Sequence, residues 1–309
     1  MENKKKILIT GGCGFIGSNL VLALIKKKFK IDIIDKKITN KFKNKNIRYI
    51  KGDIKNPKVF DKFRYKYDTV FHLAAQASAR ICEENFKEAI ETNFIGTSNL
   101  CDWAKIYRPK KIIFASSMGV YKSSEFALKE NLTLKPQSTY GKTKLDGENM
   151  IKKLQKFKIK IIITRLFNVY GPGQNYKNLK QGMVSIYAYL AIFKKKIKVT
   201  GSLERFRDLI YISDVIGTLI ALLDFNKNSI INVGNGKRIS VVSLLKFICQ
   251  LTNLDFKKSI VVLPSHSGDV FGTYANIDRL KKIYTPKIKL KNGLIEIIKD
   301  LKKIKNKNS

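Results

Sequence analysis

Tyr140 and Lys144 lie four residues apart in a stretch, residues 137 to 156, whose pattern predicts a helix. At that spacing the two side chains share one helix face. A phenol within reach of an ammonium ionises below its ordinary pKa of about 10, which makes a tyrosine usable as a general base near neutral pH. Ser117 supplies a third hydrogen-bonding group, at the end of an apolar run, Ile112 to Ala115, that reads as a strand. A Tyr-x-x-x-Lys pair recurs by chance. It gains specificity from a strand-end serine ahead of it and from the glycine-rich turn near the N-terminus.

That turn is Thr10-Gly11-Gly12-Cys13-Gly14-Phe15-Ile16-Gly17. The apolar run Ile7 to Ile9 reads as a buried parallel strand, and Ser18 to Lys28 as an amphipathic helix. Strand, glycine turn and helix start together form an anion site, because the backbone can approach a pyrophosphate and the first helical N–H groups face it. A second strand, Ile31 to Ile34, ends in Asp35, where such a unit places the acid for adenosine ribose hydroxyls. An acid there favours NAD over NADP, whose 2′-phosphate it would repel. The alternative is an ordinary βαβ unit with a surface aspartate. Further on, Asp53 follows the strand Ile47 to Lys51 and can hydrogen-bond an adenine amino group, cap the helix after Pro57, or do both. The small residues Ala74 to Ala77, after the strand Thr69 to Leu73, let a loop pass close beneath a cofactor.

Length and composition allow about two domains or one large α/β domain with a sizeable core. No window is apolar enough to span a membrane, and the charged N-terminus runs straight into a strand, which is not the pattern of a signal peptide. Four cysteines without metal-ligand spacing fit reduced residues of a cytoplasmic protein; no metal is expected. The 61 Lys and Arg against 24 Asp and Glu leave a net charge of +37. Most of that excess is lysine spread along the whole chain, without the arginine and aromatic clusters that read nucleic acid. Solvated faces explain it better than a nucleic-acid partner, and no specific nucleic acid or membrane partner is expected. His72 ends a buried-looking strand and reads as packing rather than catalysis.

The motif series resembles the extended short-chain dehydrogenase/reductase family, in its NAD-dependent nucleotide-sugar epimerase/dehydratase branch. The matching segments run over nearly the whole chain: TGGCGFIGSNL (10–20), GDI (52–54), HLAAQAS (72–78), NFIGTSNL (93–100), FASSMGVY (114–121), YGKTK (140–144), RLFNVYGPGQ (165–174), RDLIYISDV (207–215) and NVGNG (232–236). The resemblance implies an α/β fold, a Rossmann-like doubly wound parallel sheet with a smaller C-terminal α/β substrate-binding part. Residues 1–170 would bind NAD and carry the catalytic set, and residues 171–309 would mainly bind substrate, the two being intertwined. It implies that Gly11, Gly14 and Gly17, with Phe15 and Ile16, take the pyrophosphate. Asp35 would take the ribose, Asp53 and Ile54 the adenine, with Leu73, Ala74, Ala75 and Asn93 lining the cofactor. Tyr140 would be the acid/base, Lys144 would bind the nicotinamide ribose and depress the tyrosine pKa, and Ser117 would hold the reacting sugar oxygen. Asn168 and Arg207 would contact the nucleotide and its diphosphate. A homodimer through the helices at 85–107 and 137–156 is also implied.

Within the family, dehydratases carry an Asp-Glu pair after the strand-end Ser or Thr, and related decarboxylases a Glu. Met118 and Gly119 stand there in this chain, and neither can act as acid or base. That leaves oxidation and re-reduction at one carbon, the chemistry of a 4-epimerase on a UDP-sugar serving surface polysaccharide supply. One rival is an NAD(P)-dependent reductase or dehydrogenase of a keto-sugar nucleotide. A second is a basic RNA-binding protein on an epimerase-like scaffold. The chain departs from the family pattern at His266-Ser267-Gly268-Asp269-Val270, where Arg-Pro-Gly-Asp-Val is common and the arginine meets the diphosphate. His266 is therefore either a substrate contact or a loop-packing residue. Arg80 either meets a sugar carboxylate or phosphate or is a solvated charge.

Overall fold

The computed structural model describes residues 5–27, 29–38, 42–264 and 271–307. Its centre is a seven-stranded sheet built from β1 (Lys6–Thr10), β2 (Lys30–Asp35), β3 (Ile47–Lys51), β4 (Thr69–His72), β5 (Lys111–Ser117), β6 (Lys160–Leu166) and a late strand, Ser229–Val233. Every pairing in it is parallel. From one edge the order is β3-β2-β1-β4-β5-β6, then the late strand. Chain direction across the sheet reverses between β1 and β4, and their carboxyl ends open the crevice where such sheets bind dinucleotides.

The strands are apolar on both faces because helices cover both. Ile7 and Ile9 point into one core with Leu20, Val21 and Leu24 of α1 (Phe15–Ile25). Leu8, between them, points into the other, with Phe63, Trp103 and Ile151. The second core is roofed by α4 (Gly96–Tyr107) and α5 (Thr139–Lys153), which follow the short helices α2 (Ala79–Glu84) and α3 (Phe86–Ile90). The helix expected over residues 85–107 is interrupted: Glu91–Ile95 forms a π-helical turn between α3 and α4. Propensity cannot show such a turn, whose extra residue aims one side chain off the helical repeat.

The C-terminal part begins with β7 (Asn168–Tyr170), α6 (Met183–Phe193), β8 (Ile197–Thr200), β9 (Phe206–Arg207), β10 (Leu209–Tyr211) and α7 (Ile212–Ala221). The late central strand, β11 (Ser229–Val233), then returns to the first sheet, pairing with β6 while α7 packs on α1. A strand late in the chain thus completes a sheet whose other six strands end at Leu166. Further elements are β12 (Ile239–Ser240), α8 (Val241–Thr252), α9 (Phe256–Ser259), β13 (Ile260–Leu263), β14 (Gly272–Thr273), α10 (Asp278–Lys281) and α11 (Leu290–Lys307). A third core joins α6, α8 and α11 through Tyr187, Ala188, Leu244, Ile248, Ile297 and Leu301. α11 runs on to Lys307, and the Lys305 ammonium donates to the Ile192 carbonyl at 3.4 Å. No helix among the described residues is long and apolar enough to cross a membrane.

Candidate active site

The glycine turn connects β1 to α1, which begins at Phe15 rather than at Ser18 as its amphipathic pattern predicts. Gly14 is the residue at the helix start, and no side chain caps that end. The first-turn N–H groups therefore face the crevice as donors for an anion. Gly11 sits at φ +72°, in the left-handed region, and a Cβ there would fall 2.7 Å from the Ala74 nitrogen. A Cβ on Gly17 would lie 2.1 Å from the Gly11 carbonyl oxygen. Both contacts are with backbone, so neither yields cheaply. Gly17→Ala is expected to cost about 1–3 kcal/mol of stability and to weaken NADH binding about tenfold, read by urea denaturation and by fluorescence titration.

Gly11, Gly14, Asp35, Ile54, Leu73, Ala74 and Ala75 meet in one cleft of about 230 Å³. Asp35 also braces the turn: its Oδ2 accepts from the Cys13 N–H at 2.9 Å and its Oδ1 from Lys37 N–H at 3.1 Å. Glycines that pack backbone on backbone, open helix donors and an acid at the β2 end fit a dinucleotide. Asp53 stands at the rim, paired with Lys36 at 3.3 Å and Lys55 at 3.8 Å. It does not cap the turn after Pro57, as one reading of the sequence expects. Asn56 does so, being adjacent to Pro57 and accepting from Lys58 N–H, while Asp53 closes a local turn on Lys55 N–H.

β5 delivers Ser117 and α5 delivers Tyr140 and Lys144 to the same end of the sheet. Burial pushes the Tyr140 phenol up to about 12, while a hydrogen bond with Ser117 pulls it the other way. The Lys144 ammonium donates to the Ala115 carbonyl at 2.7 Å, and burial lowers it to about 8. A shared helix face sets the tyrosine–lysine spacing, the strand-end carbonyl takes one of the three donors of the ammonium, and the Ser117 hydrogen bond favours phenolate. Ser117→Ala should move the rising limb of kcat/KM against pH to higher pH and reduce the rate at pH 7 about 10²-fold. The sign follows because losing that hydrogen bond raises the tyrosine pKa further, leaving less phenolate at a given pH.

Further side chains hold this set in place. Asn93, from the π-helical turn, accepts from Gln76 N–H at 2.8 Å and donates to the Gln76 carbonyl at 3.1 Å and the Thr143 hydroxyl at 3.0 Å. It clamps the loop after β4 onto α5. Glu83 of α2 accepts from the N–H and the hydroxyl of Thr139, at 2.7 and 2.9 Å, securing the start of the tyrosine helix. Beneath lies a buried ion pair: Arg165 Nε and Nη2 donate to the two oxygens of Glu148, each at 2.8 Å. Ser116, next to Ser117, donates to Glu148 at 2.6 Å, and Arg165 donates to the Tyr121 hydroxyl at 2.7 Å. His72 is fully buried between the Thr10 and Thr97 hydroxyls, and burial lowers it to about 3, so it packs as a neutral ring.

On the C-terminal side, Asn168 Nδ2 donates to the Asp208 carbonyl at 3.1 Å, and Arg207 Nη1 donates to the carbonyls of Phe206 and Phe271 at 2.7 and 3.0 Å. Asp208, between β9 and β10, follows Arg207 in the RDLIYISDV segment but has no role assigned from sequence. Its carboxylate accepts N–H groups from Asn235, Gly236 and Ala275 at 2.7 to 3.0 Å, although burial raises it to about 6. Arg80 lies exposed on α2 in an ion pair with Glu84 at 3.1 Å, the solvated-charge alternative of the sequence reading. His266 lies outside the described residues.

Comparison with known proteins agrees with this geometry. The model of the NAD dependent epimerase/dehydratase family matches residues 7–234. A Methanocaldococcus jannaschii protein provisionally named UDP-glucose 4-epimerase is 32% identical, over 96% of this chain and 98% of its own. A UDP-N-acetyl-alpha-D-glucosaminuronate decarboxylase of Bacillus cytotoxicus is 30% identical, over 98% of this chain and 99% of its own. Among solved structures, the UDP-glucose 4-epimerase of Thermotoga maritima with UDP-glucose superposes with a TM-score of 0.90 at 28% identity, covering 97% of this chain and 99% of that one.

Proposed function

The chain belongs to the NAD dependent epimerase/dehydratase family, and from that premise we propose that it interconverts the C4 epimers of a UDP-sugar through a transient 4-keto sugar. The observation that carries this reading is the turn after Ser117. Met118–Val120 presents a thioether and backbone where elimination or decarboxylation would call for a carboxylic acid, and the Met118 sulfur lies 2.8 Å from the Thr273 hydroxyl. A tyrosine, a serine and a buried lysine suffice for moving one proton on and off one oxygen.

In this reading Gly11, Gly14 and Gly17, with Phe15 and Ile16, hold the pyrophosphate of NAD. Asp35 takes the adenosine ribose, Asp53 and Ile54 lie by the adenine, and Lys144 takes the nicotinamide ribose. NAD, when bound there, would supply the hydride acceptor and donor. Ser117 holds the C4 oxygen while Tyr140 takes its proton as the C4–H bond is lost. The 4-keto sugar turns over in the site, and Tyr140 hands the proton back once hydride has added to the opposite face. Asn168 and Arg207 hold the nucleotide and diphosphate throughout, a guanidinium being apt for a phosphate fork. A second copy docks along the helices at 85–107 and 137–156, a reading supported by exposed Phe94 and Ile95 of the π-helical turn and Ile106 of α4.

A UDP-sugar deuterated at C4 tests the reaction type. Epimerisation through a returned hydride keeps the label at C4 of the product, with no exchange into solvent. Release of carbon dioxide or water, or appearance of the label in free NADH, would refute it.

A further inference from the structure

Lys36, next to Asp35, lines the cofactor cleft, yet its ammonium is engaged. Its Nζ lies 2.6 Å from Glu88 Oε1 and 3.3 Å from Asp53 Oδ2. Lys55 Nζ lies 2.7 Å from Glu88 Oε2, 3.1 Å from Glu91 and 3.8 Å from Asp53. Each oxygen of Glu88 thus serves a different lysine, and the Thr92 hydroxyl donates to Oε1 at 3.1 Å. Two ammonium groups face three carboxylates at the rim, with Asp35 adding another negative charge beside them.

We propose that Glu88 is a determinant of the preference for NAD over NADP, acting by occupying the lysines that border the adenosine end of the cleft. NADP differs from NAD by a phosphate on the adenosine ribose, and binding it there requires cations with donors to spare. Lys36 is partly exposed, with 44% of its side chain accessible, so reach does not disqualify it. What disqualifies it is its partner. The two lysines hold the Glu88 carboxyl down to about 2, so it stays ionised at any working pH. A 2′-phosphate arriving beside Asp35 meets a rim whose positive charge is already neutralised. Asp35 repels that phosphate, and Glu88 withholds the cations that would offset the repulsion.

This inference rests on the assignment of Asp35 to the adenosine ribose and is independent of which sugar reacts. Glu88→Gln keeps the side-chain shape and removes the carboxylate nearest to both lysines, leaving Lys36 with Asp53 at 3.3 Å and Lys55 with Glu91 and Asp53. Titrations of the full-length chain with NADH and NADPH, followed by reduced-nicotinamide fluorescence, should show NADPH binding about tenfold tighter in Glu88→Gln, with NADH within about twofold of the parent. Adding Lys36→Ala to that variant should remove the gain. Retained NADH binding shows that the variant is folded. An unchanged NADPH-to-NADH ratio, or equal tightening of both, would overturn the role of Glu88. Asp35→Asn, measured alongside, separates the two claims: if it leaves both affinities unchanged, the ribose assignment fails; if it shifts the ratio while Glu88→Gln does not, only the Glu88 proposal fails.

Discussion

Tyr140→Phe is expected to reduce turnover about 10³-fold while the protein stays folded and keeps its NAD affinity. The hydroxyl is the atom that meets Ser117, and on the proposed mechanism it carries the only proton that moves. The ring lies beside the turn at Gly119, where even an added Cβ would come to within 3.6 Å of Tyr140 Cδ1, and phenylalanine keeps that ring. Lys144 does not depend on the phenol for its position, because the Ala115 carbonyl holds it. Stopped assays of sugar conversion give the rate, and thermal melting with NADH titration checks the rest. A variant retaining a tenth or more of the parent rate would remove Tyr140 from the chemistry.

Breaking the Glu148–Arg165 pair should have the largest effect on stability. Both side chains are almost wholly inaccessible, at 0% and 1% exposure. Burial opposes both charges, yet the pairing holds the Glu148 carboxyl below its ordinary range and the guanidinium above its own. Removing one partner strands the other in the sheet interior, so Arg165→Met or Glu148→Gln should cost about 3–5 kcal/mol. Replacing both with methionine should cost less than either single change, because no uncompensated charge remains. Urea denaturation of the three variants measures this. A single variant within 1 kcal/mol of the parent (about a fivefold change in the folding equilibrium) would show that the pair does not anchor α5 to β6.

The parts of the site legible in the sequence are those in which chemistry and chain neighbourhood coincide. The glycine turn, the acid at the end of β2, the serine at the end of β5 and the Tyr-x-x-x-Lys face each announce themselves within a few residues. The parts that were not legible depend on partners far along the chain. Glu148 meets Arg165 across helix and strand, Asn93 meets Gln76 and Thr143 only because a π-helical turn aims it there, and Glu88 reaches back to Lys36 across the cleft. The tyrosine–lysine spacing was read correctly as a shared face, but spacing says nothing of the Ala115 carbonyl that accepts from the ammonium. Asp53 and Asn56 are equally good cap residues by type. Their order relative to Pro57 placed Asn56 at the cap.

The central claim is that one carbon is oxidised and reduced within a single binding event. The most direct measurement is to incubate the purified chain with UDP- and dTDP-sugars without added NADH and to identify the products by chromatography and NMR. Interconversion of a C4 epimer pair with no net consumption of nicotinamide is the predicted result, and it names the sugar. Conversion that requires NADH or NADPH in stoichiometric amount, or a product lacking its carboxyl group or a water, would contradict it.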